Sequence, residues 1–243
     1  MNAGWKARRE SMTAEIQTSS LPAPNFRDRF AASLRGFGPV GIVALLIILA
    51  GVLVFMPIAA VLILLWVWLS KTPWREIGYV RPKSWLAALV IGILFGVVFK
   101  LAMKAVVMPW LGADPVNHVY HYMAGNLPAT AVFAAYAIVG AGWGEETVFR
   151  GYLFERLGKL LGSGIAAKAV IVVLTTAFFA SLHYQQGWPG IEQAMITGGT
   201  FAIIFAVTAR LYTLMVAHAA FDLAAAAIIY LNLETKVAHL VFP

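Results

Sequence analysis

From Gly36 to Leu69 the sequence runs for about 34 residues without one charged side chain. At 1.5 Å per residue a single helix of that length would be about 50 Å long, against a bilayer hydrocarbon core of about 30 Å. Water offers no stable place for such a stretch. It predicts either one long kinked membrane helix or a tight hairpin turning near Met56 and Pro57. The rest of the chain agrees, because 61% of its 243 residues are hydrophobic and 12% are charged, where a soluble domain carries roughly 25%. The sequence describes an integral membrane protein.

Further apolar stretches follow at Trp85 to Trp110, Ala129 to about Tyr152 with a polar extension to Leu161, about Ala166 to Tyr184, Ile191 to Thr208, and Leu211 to Leu231. With the hairpin they give an all-α, polytopic bundle of about seven transmembrane spans. The charges arbitrate: seven spans put Lys6, Arg8, Arg9, Arg27, Arg29, Arg35, Lys71, Arg75, Arg81, Lys83, Arg150, Arg156, Lys159, Lys168 and Arg210 on one side. The loops at 112–128 and 185–190 hold no Lys or Arg. Because positive residues collect on the cytoplasmic side, the N-terminus is expected inside, in a bacterial cytoplasmic membrane. Residues 1–35 read as a basic cytoplasmic tail, partly disordered, and 36–243 as the membrane-embedded domain. The stretch "KTPWREIGYVRPKSW" reads as an interfacial segment. A signal peptide is not expected, since the first apolar run begins late and is too long for one.

The net charge of +7 is explained by the same inner-side bias, so no nucleic-acid partner is expected. Absence of cysteine excludes disulfides, a thiol nucleophile and thiolate metal sites.

Against this apolar background three polar groups stand out, because an intramembrane carboxylate costs at least about 2.5 kcal/mol to insert. In "WGEETVFRGY", Glu146 and Arg150 are i and i+4 and can neutralise each other, which leaves Glu145 over. Taken alone, that cluster also reads as a helix-end salt bridge. In "FFASLH", Phe179 and His183 are again i and i+4. A turn at Ser163 lies 18 residues after Glu145 and 20 before His183, so two antiparallel helices would bring these residues to nearly the same height. In "HAAFD", His218 and Asp222 share one face of the last span, which also suits a hydrogen-bonded interhelical pair.

"EETVFR", "FASLH" and "HAAFD" resemble, in order, the EExxxR, FxxxH and HxxxN/D motifs of the CAAX-protease and bacteriocin-processing (CPBP, or Abi) family of intramembrane proteases. The resemblance covers about 74–231. It implies an endopeptidase acting on a membrane-associated peptide or protein. Glu145 would be the general base on a water held with His183, and His218 and Asp222 would stand near the oxyanion, with Glu146, Arg150 and Phe179 in support. Where some members carry Asn this chain has Asp222, so His218 is the safer oxyanion donor and Asp222 is free to fix its tautomer.

Other readings stay open at this stage. Glu145, His183 and His218 would also form a carboxylate and two-histidine set for zinc, making zinc a possible cofactor. Intramembrane Glu and His also suit a proton-coupled transporter. A non-catalytic scaffold or immunity protein of the same fold is a further alternative. The substrate is not legible: a prenylated CAAX protein, a bacteriocin leader and another membrane protein all fit.

Overall fold

The computed structural model describes residues 5, 6, 8 and 25–242. Among the described residues there is no strand, and the architecture is all helical. Most of the expected tail lies outside the described residues, but its last part does not. Helix α1 (Phe26–Arg35) is capped by Asn25, whose side chain accepts from the Asp28 N–H at 2.9 Å. Its Ala31 and Leu34 are buried, and the Leu34 carbonyl accepts from Trp66 Nε1 at 3.2 Å. This stretch, expected to belong to the tail, is therefore built into the helical body.

The uncharged run folds as a hairpin. Helix α2 (Pro39–Val54) and helix α3 (Met56–Ser70) meet at Phe55, which is extended, with Pro57 in the first turn of α3. Proline removes an N–H that a continuous helix would need, so the break falls where a new first turn tolerates it. Gly51 on α2 faces Ala59 on α3, so the arms run antiparallel. At 16 and 15 residues each arm is about 23 Å long, shorter than the hydrocarbon core. The tip stops inside the bundle: Met56 sits against Gly144 and Phe55 against Tyr136.

The remaining helices are α4 (Trp85–Trp110), α5 (Leu127–Leu161), α6 (Ile165–Ser181), α7 (Tyr184–Thr208), α8 (Leu211–Tyr230) and the short α9 (Glu234–Ala238). Four of them, α4, α5, α7 and α8, are long and apolar enough to cross a membrane, and α1 with α2 forms a fifth candidate bent by 59°. The expected hairpin arms and α6 are apolar but short. Their exposed faces are greasy, with Leu86, Val90, Leu94 and Val98 of α4 outward, as lipid contact requires.

Two features position the site. First, the middle of α5, Ala137–Tyr152, is wound as a π-helix, as in the bond from the Leu153 N–H back five residues to Val148. Second, α4 and α8 run parallel in close contact. Gly92 touches Thr213 and Val216, and Gly96 touches Ala217 and Ala220. A Cβ at Gly96 would come within 2.2 Å of the Ala217 carbonyl oxygen. Small residues at such a crossing are what allow two membrane helices to pack backbone to backbone.

The bundle has two chemically different ends. At one, Lys71 pairs with Asp28 at 2.6 Å, Lys159 with Glu76 at 2.9 Å, and Arg156 donates to the Arg35 carbonyl at 2.9 Å. At the other, His121 meets Glu234 at 2.8 Å and Gln186 donates to the Tyr120 hydroxyl at 3.0 Å.

Replacing Gly96 tests the α4–α8 contact. Gly96→Ala must push the helices apart and is expected to cost about 1–3 kcal/mol, the range for overpacking. A thermal melt in detergent should show the loss, whereas Gly112→Ala, which meets nothing within 4 Å but has positive φ, should show a smaller one.

Candidate active site

The three polar groups converge. Glu146, fully buried, accepts two bonds on one oxygen, from Arg150 Nη1 at 2.9 Å and from His218 Nδ1 at 2.7 Å. Arg150, itself buried, also donates through Nη2 to the Gly198 carbonyl at 2.9 Å. Its guanidinium lies 4.8 Å from the Phe179 ring centre and 5.7 Å from that of Phe201. One carboxylate and one guanidinium thereby tie α5 to α7 and α8, and two aromatic faces shield the pair from lipid. Planar guanidinium is suited to this double task of bonding in its plane and stacking across it.

His218 is held from three sides. Its Nδ1 meets Glu146; its Nε2 lies 3.7 Å from Glu145 Oε2 and 4.0 Å from Asp222 Oδ2. The residue that fixes its ring is thus Glu146, not Asp222 as the resemblance implied, because the side chain of Glu146 reaches across to α8. Asp222 sits one turn beyond His218. His183 donates through Nδ1 to the Phe179 carbonyl at 2.9 Å, and its ring packs 4.6 Å from the Phe179 ring.

A cavity of about 880 Å³ joins these groups, and Glu145, Phe179, His183, His218 and Asp222 all line it. Glu145 Oε2 is buried with no hydrogen-bond partner in the protein. Glu145 and His183, expected at nearly the same height, both line this one space. The cavity reaches the surface among exposed Asp114, His118 and Gln185, at the end away from the ion pairs of Lys71 and Lys159. It also touches the α2–α3 tip, where Leu53 and Val54 are about three-quarters exposed. Tyr120, in the loop above, lines it too; burial pushes its phenol up to about 12, so it is a neutral hydroxyl at ordinary pH.

The zinc arrangement is a different matter. Among the described residues no three His, Asp or Glu side chains are gathered so as to hold a metal ion. Glu145, His183 and His218 therefore do not fit a zinc centre as they stand.

Residues 127–224, from the start of α5 into α8, match the family model for type II CAAX prenyl endopeptidase, Rce1-like. Over this stretch the core of the chain is similar to that family. That core spans about two fifths of the sequence and includes every residue of the three motifs. It is narrower than the 74–231 expected from the motifs and leaves out α2, α3 and α4. Comparison with curated proteins and with solved structures gives no match.

Several cavity residues lie outside the motifs. Lys100 and Lys104 on α4, Gln193 on α7, and Tyr120 and Tyr136 all line the wall. Two cations at i and i+4 inside the apolar run Trp85 to Trp110 were the signal available for them, since an intramembrane charge marks function by default.

Arg150 offers the sharpest stability test. Arg150→Ala strands the Glu146 carboxylate and the Gly198 carbonyl in a dry interior, and removing one partner of a buried pair costs about 3–5 kcal/mol. Thermal unfolding in one detergent should show that loss, with Arg150→Lys intermediate because it keeps the charge and loses the second bond.

Proposed function

We propose that the protein is an intramembrane endopeptidase in which Glu145 activates a water molecule for attack on a peptide bond. What carries the reading is the state of Glu145: a buried carboxylate, one oxygen of which has no hydrogen-bond partner, on a residue that lines the cavity His183 and His218 share. An idle carboxylate in that setting is costly, and a general base must have a free lone pair aimed at its proton.

The proton inventory is simple. With Nδ1–H donated to the Phe179 carbonyl, neutral His183 keeps Nε2 as an acceptor, so a water can donate one hydrogen to it and the other to Glu145. As Glu145 takes its proton, the water oxygen bonds to the scissile carbonyl carbon and an oxyanion forms. His218, as the imidazolium braced by Glu146, offers Nε2–H to that oxygen. When the C–N bond breaks, Glu145 returns the proton to the leaving amine. Glu146 and Arg150 do not touch the substrate; they set the position of His218. Asp222, beside His218 Nε2, helps hold the ring.

The loop charges bear on sidedness. With the basic end in the cytoplasm, the mouth of the cavity opens on the opposite face, and the low flank beside the α2–α3 tip admits a lipid-linked chain from the bilayer.

Glu145→Gln and His183→Ala are expected to lower cleavage of an S-farnesyl peptide by at least about 100-fold, the scale of general acid–base catalysis, while unfolding within a few degrees of wild type. Turnover near wild type in either variant removes that residue from the mechanism. In cells, peptide termini that appear with wild type and not with Glu145→Gln identify substrates. A biological effect that persists in Glu145→Gln would favour a non-catalytic scaffold.

A further inference from the structure

Lys100 is a buried cation whose side-chain hydrogen bond goes to a neutral partner. Its Nζ donates to the neutral Gln193 Oε1 at 3.1 Å and stands 4.7 Å over the Phe221 ring, inside a span and on the cavity wall. An ammonium has three donors. Among the described residues no carboxylate lies within ion-pair distance of it, and Asp222 and Glu234 act on it only through space. Lys104, one turn on, is differently placed. It bonds to the Pro115 carbonyl and lies 3.9 Å from Glu234, which is itself satisfied by His121 and the Asn117 N–H. So Lys104 is engaged by the protein, and Lys100 is the cation with donors to spare.

Position gives this cation a meaning. Because α4 and α8 run parallel, Gly96 is level with Ala217 and Ala220, and Lys100 with Phe221. From His218 to the level of Lys100 is about one turn, roughly 6 Å, and Lys104 is one turn further, roughly 12 Å. An extended peptide advances about 3.3 Å per residue. A chain with its scissile carbonyl beside Glu145 and His218 would bring an atom two to four residues away alongside these lysines. The cavity is continuous from Glu145 past Asp222 to Lys100 and Lys104.

We propose that Lys100, assisted by Lys104, binds the free C-terminal carboxylate of the substrate and so fixes cleavage two to four residues from the chain end. This rests on the peptidase reading above. Gln193, by holding Nζ, is a positioning residue for the cation. A lipid phosphate is the other source of an anion at this place.

The test uses an S-farnesyl cysteine peptide ending in three aliphatic residues, prepared as the free acid and as the C-terminal amide. Purified wild-type protein should cleave the acid with a kcat/KM about tenfold or more above that of the amide, the scale of a charge-assisted bond. In Lys100→Met the acid-to-amide ratio should fall to about one, and Lys100→Arg should keep most of it. Binding of both peptides to Glu145→Gln protein provides an arm independent of turnover, and tighter binding of the acid supports the anchor even if no cleavage is found. Failure of cleavage then counts against the peptidase reading alone. Equal binding of acid and amide, or a preference that survives Lys100→Met, overturns the proposal. Should Lys100→Met not fold, the ratio in wild type and in Lys100→Arg decides. Nanodiscs of phosphatidylcholine and phosphatidylglycerol separate the two anions: an acid preference equal in both supports the carboxylate, and Lys100-dependent inhibition by phosphatidylglycerol overturns it.

Discussion

The carboxylate of Glu146 is the interaction on which the interior depends. It is wholly buried and takes a guanidinium and an imidazole on one oxygen. A charge in that place survives only because its partners are fixed, and each partner is fixed by a different helix. Arg150 is steadied by the Gly198 carbonyl of α7 and the rings of Phe179 and Phe201, and His218 is carried by α8. Remove any one and an uncompensated charge is left in a medium that cannot solvate it. The proposed catalytic geometry is therefore a by-product of a structural necessity: pairing one oxygen of Glu146 also aims His218 at the cavity.

The π winding of α5 makes that possible. A π-helix turn is wider than an α turn and is frequently found at functional sites. In this stretch Gly140, Gly142 and Gly144 let neighbours come close; a Cβ at Gly142 would meet the Met215 carbonyl oxygen at 2.8 Å. Close approach of α5 to α8 brings two consecutive glutamates within reach of one histidine, 2.7 Å and 3.7 Å from its two nitrogens. On a regular helix adjacent residues diverge by about 100°, and sharing a partner would be harder.

Much of this was legible in the sequence, and the reasons differ by element. Apolar length marked the helices from Trp85 onward, because lipid leaves few alternatives to a helix, although α7 begins seven residues before the expected Ile191 and α6 is short for a span. The hairpin at Pro57 was one of the two foldings that the uncharged run allowed. The Glu146–Arg150 pair followed from i,i+4 spacing, and the family from three ordered motifs. The π winding was not legible, since its residues are ordinary for a helix and the extra width comes from packing. Nor was the hold of Glu146 on His218, a contact across 72 positions of sequence. Helix α1 was hidden by its polarity: only Ala31 and Leu34 face inward, too few to stand out in a basic segment.

The backbone contact at Gly96 has a consequence for product size. It sets the register of α4 against α8, hence the distance between the proposed cation anchor on one helix and the histidine on the other. A slip by one turn would move that anchor by about 5.4 Å, well over one residue of extended chain. A glycine with no chemistry of its own would then act as the zero mark of a ruler, and relatives with a bulkier residue there would be expected to release fragments of another length.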